Sequence, residues 1–86
     1  MMDKTTIRIV VFKDGDHYIA QALEVDIAAQ GITPEEASRR LDIALNAEAR
    51  DAKADGRNLL DLGPAPETVR VLYEDRVVSR EQKMVA

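Results

Sequence analysis

Eighty-six residues, 45% of them apolar but only 3% aromatic, make one domain whose core must be built from Val, Ile, Leu and Ala. The absence of cysteine excludes disulfides, zinc–thiolate sites and thiol nucleophiles together. Twelve basic against sixteen acidic residues leave a net charge of −4, which argues against direct nucleic acid binding and suits a basic protein partner better.

The opening residues "MMDKTTIRIV" lack the long apolar run of a signal peptide, and no stretch is long and apolar enough to span a bilayer. A cytoplasmic protein with no membrane association is expected. A chain this short buries a small share of its surface, and small domains often recover stability by oligomerising.

Along the chain, "TTIRIVVF" sets Ile7, Ile9 and Val11 against Thr6, Arg8 and Val10, the alternation of a strand. "KDGD" follows, with Asp14-Gly15 at its centre, and this pair is expected to supply the positive φ values of a tight hairpin turn. "HYIAQAL" reads as the second strand and "EVDIAAQ" as the third, with Val25, Ile27 and Ala29 on one face. The three form an antiparallel meander.

Gly31 ends the third strand where the backbone must turn sharply. Thr33 is placed to cap a helix and Pro34 to occupy its first position. Glu36, three residues after Thr33, completes a capping box, and Glu35 and Glu36 put negative charge at the positive end of the dipole. Ile32 and Ala37 are spaced for a hydrophobic staple. The helix is expected from Pro34 to about Ala54. Ala37, Leu41, Ala44, Leu45, Glu48 and Ala52 share one face, Arg40 pairs with Glu36, and Gly56 is the C-cap. The loop "RNLLDLGPAP" offers Leu59, Leu60 and Leu62 to the core.

Residues 66–86 fit two periods. Val69, Val71 and Tyr73 alternate as in a strand, whereas Val69, Leu72, Tyr73 and Val77 are spaced as in a helix. A helix from about Pro66 to Gln82 is the expectation taken, with fraying at the last few residues. The fold class is thus α+β: a three-stranded antiparallel meander packed by one long helix, in a single domain over 1–86 with its core in 5–55. Both faces of the meander carry apolar side chains, with Val10, Phe12 and Ile19 opposing Ile9, Val11, Tyr18 and Ala20. One helix covers one face. The other needs the C-terminal segment, a second copy or a partner, and a homo-oligomer is expected.

Chemistry-bearing residues are sparse. His17 is the only histidine and stands beside a hairpin. Asp14, Asp16, Glu24 and Asp26 are close in sequence, but their spacing matches no calcium or magnesium loop, so no metal site and no cofactor is expected. Thr33, Ser38 and Ser79 have no marked base or nucleophile elbow, and the four glycines make no phosphate loop. Arg39 and Arg40, flanked by acids, read as a solvated helix face. The residues point to binding rather than to an enzyme, with no catalytic residue expected.

The order strand, "DGDHYIAQALEVDIAAQG", then "TPEEA" resembles the HicB-like antitoxin family through Gly15, Tyr18, Ala20, Gly31, Thr33, Glu36 and Ala37, over about residues 7–55. The resemblance implies a partial RNase H-like fold, an antiparallel sheet packed by the helix, and an oligomer. It also implies a protein that neutralises a small basic mRNA-cleaving toxin by covering its catalytic histidine, for which the inhibitor needs no catalytic residue. Asp16, Glu24 and Asp26 are the residues expected at the toxin-binding surface. Many antitoxins of this type carry a C-terminal helix-turn-helix or ribbon-helix-helix domain. The single short segment after the main helix departs from that pattern, so autoregulation through such a domain is not expected. A stand-alone homo-oligomeric module without a toxin is the alternative.

Overall fold

The computed structural model describes residues 5–67, 71 and 77–85. Strand β1 runs Thr5–Asp14, β2 His17–Ala22 and β3 Ala28–Gly31; helix α1 runs Pro34–Ala54; a short 3-10 turn follows at Leu59–Leu62, and β4 runs Val77–Val85. The strands form one four-stranded antiparallel sheet in the order β3-β2-β1-β4, with α1 on one face. The fold is α+β, as its alternating strands and single long amphipathic segment dictate.

The β1–β2 hairpin closes on Gly15 and Asp16, with Asp14 opposite His17. Gly15 has φ 63 and no described non-glycine residue has positive φ, so the glycine takes the first of two loop positions, as a II′ hairpin turn requires. Register puts Ile9, Val11, Ala20, Ala22 and Ala29 on the helix side. The first four join Ile7, Val25, Leu41, Leu45, Leu59 and Val85 in one buried cluster, with Tyr18, Ile27 and Ala29 packed against it. At about 1.5–3 kcal/mol for each buried Val, Leu or Ile, this cluster is the main favourable term in folding.

Thr33 caps α1: its side-chain oxygen accepts from the Glu36 N–H at 3.0 Å. The other half of the expected box is displaced by one residue, because the Glu36 carboxylate accepts from the Ile32 N–H at 3.3 Å. Ile32 is 67% exposed, whereas Ala37, its expected staple partner, is fully buried. The buried stripe of the helix runs Ala37, Ser38, Leu41, Leu45, Ala49 and Ala52. Ala44 is only half-buried and Glu48 is exposed, so the stripe turns to Ala49 instead. Asp55 is the C-cap, and Gly56, one residue further with φ 70, turns the chain away. Of the three loop leucines only Leu59 is buried, while Leu60 and Leu62 stay partly exposed.

Residues 77–82 are strand, not the end of a helix reaching Gln82, and 83–85 continue the strand instead of fraying. Glu67 and Val71 are helical; 68–70 and 72–76 lie outside the described residues. The meander is therefore extended to four strands by β4, which pairs along β1 from Thr5↔Val85 to Val11↔Ser79. An irregularity at Val11/Phe12 then shifts the register to Phe12↔Val77, leaving Val78 as the extra residue of a bulge. The third strand is shorter than its sequence pattern, since Glu24–Ile27 form a folded loop.

The second face of the sheet is buried at its centre as well. Val10 is 7% exposed and Phe12 3% exposed within a single copy of the chain, and Gln21 beside them is buried. The requirement for a second copy to cover this face is thereby removed.

Candidate protein-binding surface

The loop between β2 and β3 is held by hydrogen bonds from several directions. Gln21, buried on the second face, donates through Nε2 to the carbonyls of Ala22 at 2.9 Å and Ile27 at 3.3 Å, and to Asp26 Oδ1 at 3.4 Å. The loop backbone is fixed from outside too. Leu23 N–H bonds the Arg8 carbonyl, Asp26 N–H the Gly63 carbonyl, and Ala65 N–H the Leu23 carbonyl. Val25 drops into the core with no exposed surface, which holds Glu24 and Asp26 up on either side of it. A glutamine at this position gives no sequence signal of its own. Its role is visible only once the strand ends and three acceptors converge on it.

Glu24 folds back over β1. It accepts from the Arg8 backbone N–H at 2.7 Å and from Arg8 Nε at 2.6 Å. Burial pushes its carboxyl up, but the two Arg8 bonds and the guanidinium charge outweigh that and leave it below its ordinary value of 4.5. Its charge is thus matched inside the chain. Asp26 is exposed, and among the described residues its carboxylate meets the neutral Gln21 amide. Asp16 is exposed in the hairpin turn.

The three expected partner residues are not one cluster. Asp16 precedes β2 and the Glu24–Asp26 loop follows it, so the six-residue strand separates them by about 20 Å at ~3.3 Å per residue. Glu24 and Asp26 share one loop, and Asp16 stands at the other end of the sheet. Among the described residues no three His, Cys, Asp or Glu side chains are grouped as a metal ion would need.

The remaining candidates have structural partners. Ser38 is buried on α1 and donates through Oγ to Glu81 Oε1 at 2.7 Å, tying the helix to β4. Arg40 bonds Glu36 Oε1 at 3.3 Å, as its spacing implies, and also the Gln30 carbonyl at 3.1 Å. Arg39 and His17 are exposed, and Thr33 is occupied as the cap. Among the described residues Arg57 pairs with Asp55, and Lys83 approaches Asp42 at 3.7 Å and Glu81 at 4.0 Å. No described helix is long and apolar enough to cross a membrane.

The chain was compared with protein-family models, with curated proteins and with solved structures, and no match was found in any of the three.

Proposed function

We propose that this chain is a protein-binding module of the HicB-like antitoxin type, one that neutralises a small basic mRNA-cleaving toxin by covering its active site. One observation carries the reading: the residues that bear the resemblance are those that build the strand–turn–helix framework. Gly15 turns the hairpin, and Tyr18 and Ala20 face the helix from β2. Gly31 lies against the first turn of α1, Thr33 caps it, and Ala37 is fully buried beneath it. A partial RNase H-like arrangement of the sheet and helix is part of the same proposal.

Charge supports the proposal independently. The chain carries −4, and the exposed carboxylates of Asp16 and Asp26, which form no ion pair among the described residues, are placed to meet a basic surface. The test is a pull-down of the chain expressed in its native host, with bound proteins identified by mass spectrometry. A small basic protein recovered in stoichiometric amount, whose RNA cleavage the chain silences, is the expected result. Recovery of the chain alone refutes it. The alternative, a self-assembling module without a toxin, is favoured by the edge of β4, on whose outer side no described strand pairs.

A further inference from the structure

The sheet has two edges, and they are treated differently. At β3 the edge is four residues long, and the Arg40 guanidinium bonds the Gln30 carbonyl there. At β4 it is nine residues long, contains no proline, and no described strand pairs with its outer side. Such an edge is a template for another strand. Among the described elements, helix α1 lies mainly over β2 and β3 and not over the outer side of β4.

We propose that β4 pairs antiparallel with β4 of a second copy of this chain, in the register centred on Gln82, to make one continuous eight-stranded sheet. The side chains select the occupant and the register. In a continuous antiparallel sheet, directly opposite residues share a face, so a two-fold pairing of β4 with itself must centre on a residue. Centring on Arg80 sets Arg80 against its own copy. Centring on Glu81 sets Glu81 against its own copy. Both are like-charge pairs and unfavourable. Centring on Gln82 gives Glu81 opposite Lys83 twice, Arg80 opposite Met84 twice, Ser79 opposite Val85 twice, and two Gln82 amides facing each other.

Glu81 and Lys83 project to the helix face of the sheet, where their register partners are Ile9 and Ile7. Charges pointing inward at an edge deter an arbitrary strand. They match a second copy of themselves. The Gln82 register uses Ser79 to Val85 and so avoids the bulge at Val78. Met84, 64% exposed in the single chain, is covered by the aliphatic part of the opposing Arg80. The pairing is independent of whether a toxin exists.

The test uses the chain's lack of cysteine. Gln82 is exposed, so Gln82→Cys leaves the fold intact. In the proposed register the two Cys α-carbons lie about 4.5–5.5 Å apart, within disulfide reach. Arg80→Cys places its pair four residues out of register, about 14 Å apart at ~3.4 Å per residue, beyond reach. The expected result is a solution mass of twice 9.6 kDa for the unmodified chain and disulfide dimers from Gln82→Cys but not from Arg80→Cys. Glu81→Lys and Lys83→Glu should each raise the dimer dissociation constant at least about tenfold, and an equimolar mixture of the two should restore the dimer, because every opposing pair is then Lys against Glu. A 9.6 kDa mass across the micromolar range overturns the proposal, as does equal cross-linking at positions 80 and 82.

Discussion

Gly31→Ala is expected to destabilise the protein, and the reason is contact, not backbone conformation. A methyl group on Gly31 would stand 2.7 Å from the Ala37 amide nitrogen and 2.9 Å from both Cβ and Cγ of Glu36. Ordinary contact is about 3.5 Å, so the first turn of α1 must retreat by about 0.8 Å or β3 must yield. Overpacking of this kind costs about 1–3 kcal/mol, and the lost freedom of the unfolded chain returns about 0.4–1 kcal/mol. The net expectation is a loss of about 1–2 kcal/mol, read as the midpoint of urea unfolding, or roughly 5–15 °C in Tm for a domain of this size. Gly15→Ala should cost a similar amount for a different reason, since nothing lies within 4 Å of its missing Cβ but its φ is +63. The two causes separate on a larger side chain. Gly31→Leu should cost more than Gly31→Ala, whereas Gly15→Ser should cost the same as Gly15→Ala. Retreat of the helix end also loosens the Thr33 cap, so Thr33→Ala should cost less in the Gly31→Ala background than in the parent. Parental stability for Gly31→Ala would refute the reasoning.

Leu41→Ala and Leu45→Ala each remove a fully buried side chain and should cost about 2–5 kcal/mol, while Ile43→Ala, at a position 65% exposed, should stay within about 0.5 kcal/mol; urea titration compares the three. Glu24 has a folded-state carboxyl below its ordinary value of 4.5, so its stabilisation is present above that value and is lost as pH falls through the lower, folded one. Glu24→Gln should therefore cost about 0.5–1 kcal/mol at neutral pH and flatten the stability curve below pH 4.5, as measured by urea unfolding across pH. Ser38→Ala leaves Glu81 without its helix donor and should cost about 1–3 kcal/mol, with faster amide exchange in β4 than in β1 and β2.

The first hairpin and the start of α1 were legible because each rests on local chemistry. Glycine at a positive-φ turn position, alternating β-branched residues and Thr33-Pro34 in series need no tertiary information. Strand β4 was not legible, and the cause is its place in the sheet. Its helix-facing residues are Ser79, Glu81, Lys83 and Val85, three of them polar, because α1 meets this edge with Ser38 and Asp42 instead of leucines. The period-2 hydrophobic signal of a buried strand is therefore missing there. Glu24–Ile27 misled in the opposite direction. Val25 and Ile27 do face the core, but the chain reaches it through a loop held by Gln21, not through a ladder. The acids of the candidate surface were readable as exposed charge. Their separation by the length of β2, and the capture of Glu24 by Arg8, depend on contacts between residues far apart in sequence.

That capture decides which acids are available to a basic partner. Glu24 is matched by a guanidinium and a backbone N–H, so reversing it destroys an internal bond as well as a surface charge, and loss of binding by Glu24→Lys would be ambiguous. Among the described residues Asp16 and Asp26 pair with no cation, so reversing Asp16 changes the surface alone, while reversing Asp26 also gives up the 3.4 Å bond from Gln21. They stand about 20 Å apart across β2, more than twice the ~8 Å Debye length at physiological salt, so neither screens the other from a partner. If a basic toxin spans both ends of the strand, Asp16→Lys and Asp26→Lys should each slow association, and their effects should add within about 0.5 kcal/mol in the double variant. If it engages only one end, one reversal carries the whole effect, and the other residue leaves the interface. Association rates at two salt concentrations decide between these cases: the effect of a genuine interface charge shrinks as salt rises, whereas a change from altered folding does not. Unchanged rates for both variants would remove the acidic residues from the proposed toxin-binding surface altogether.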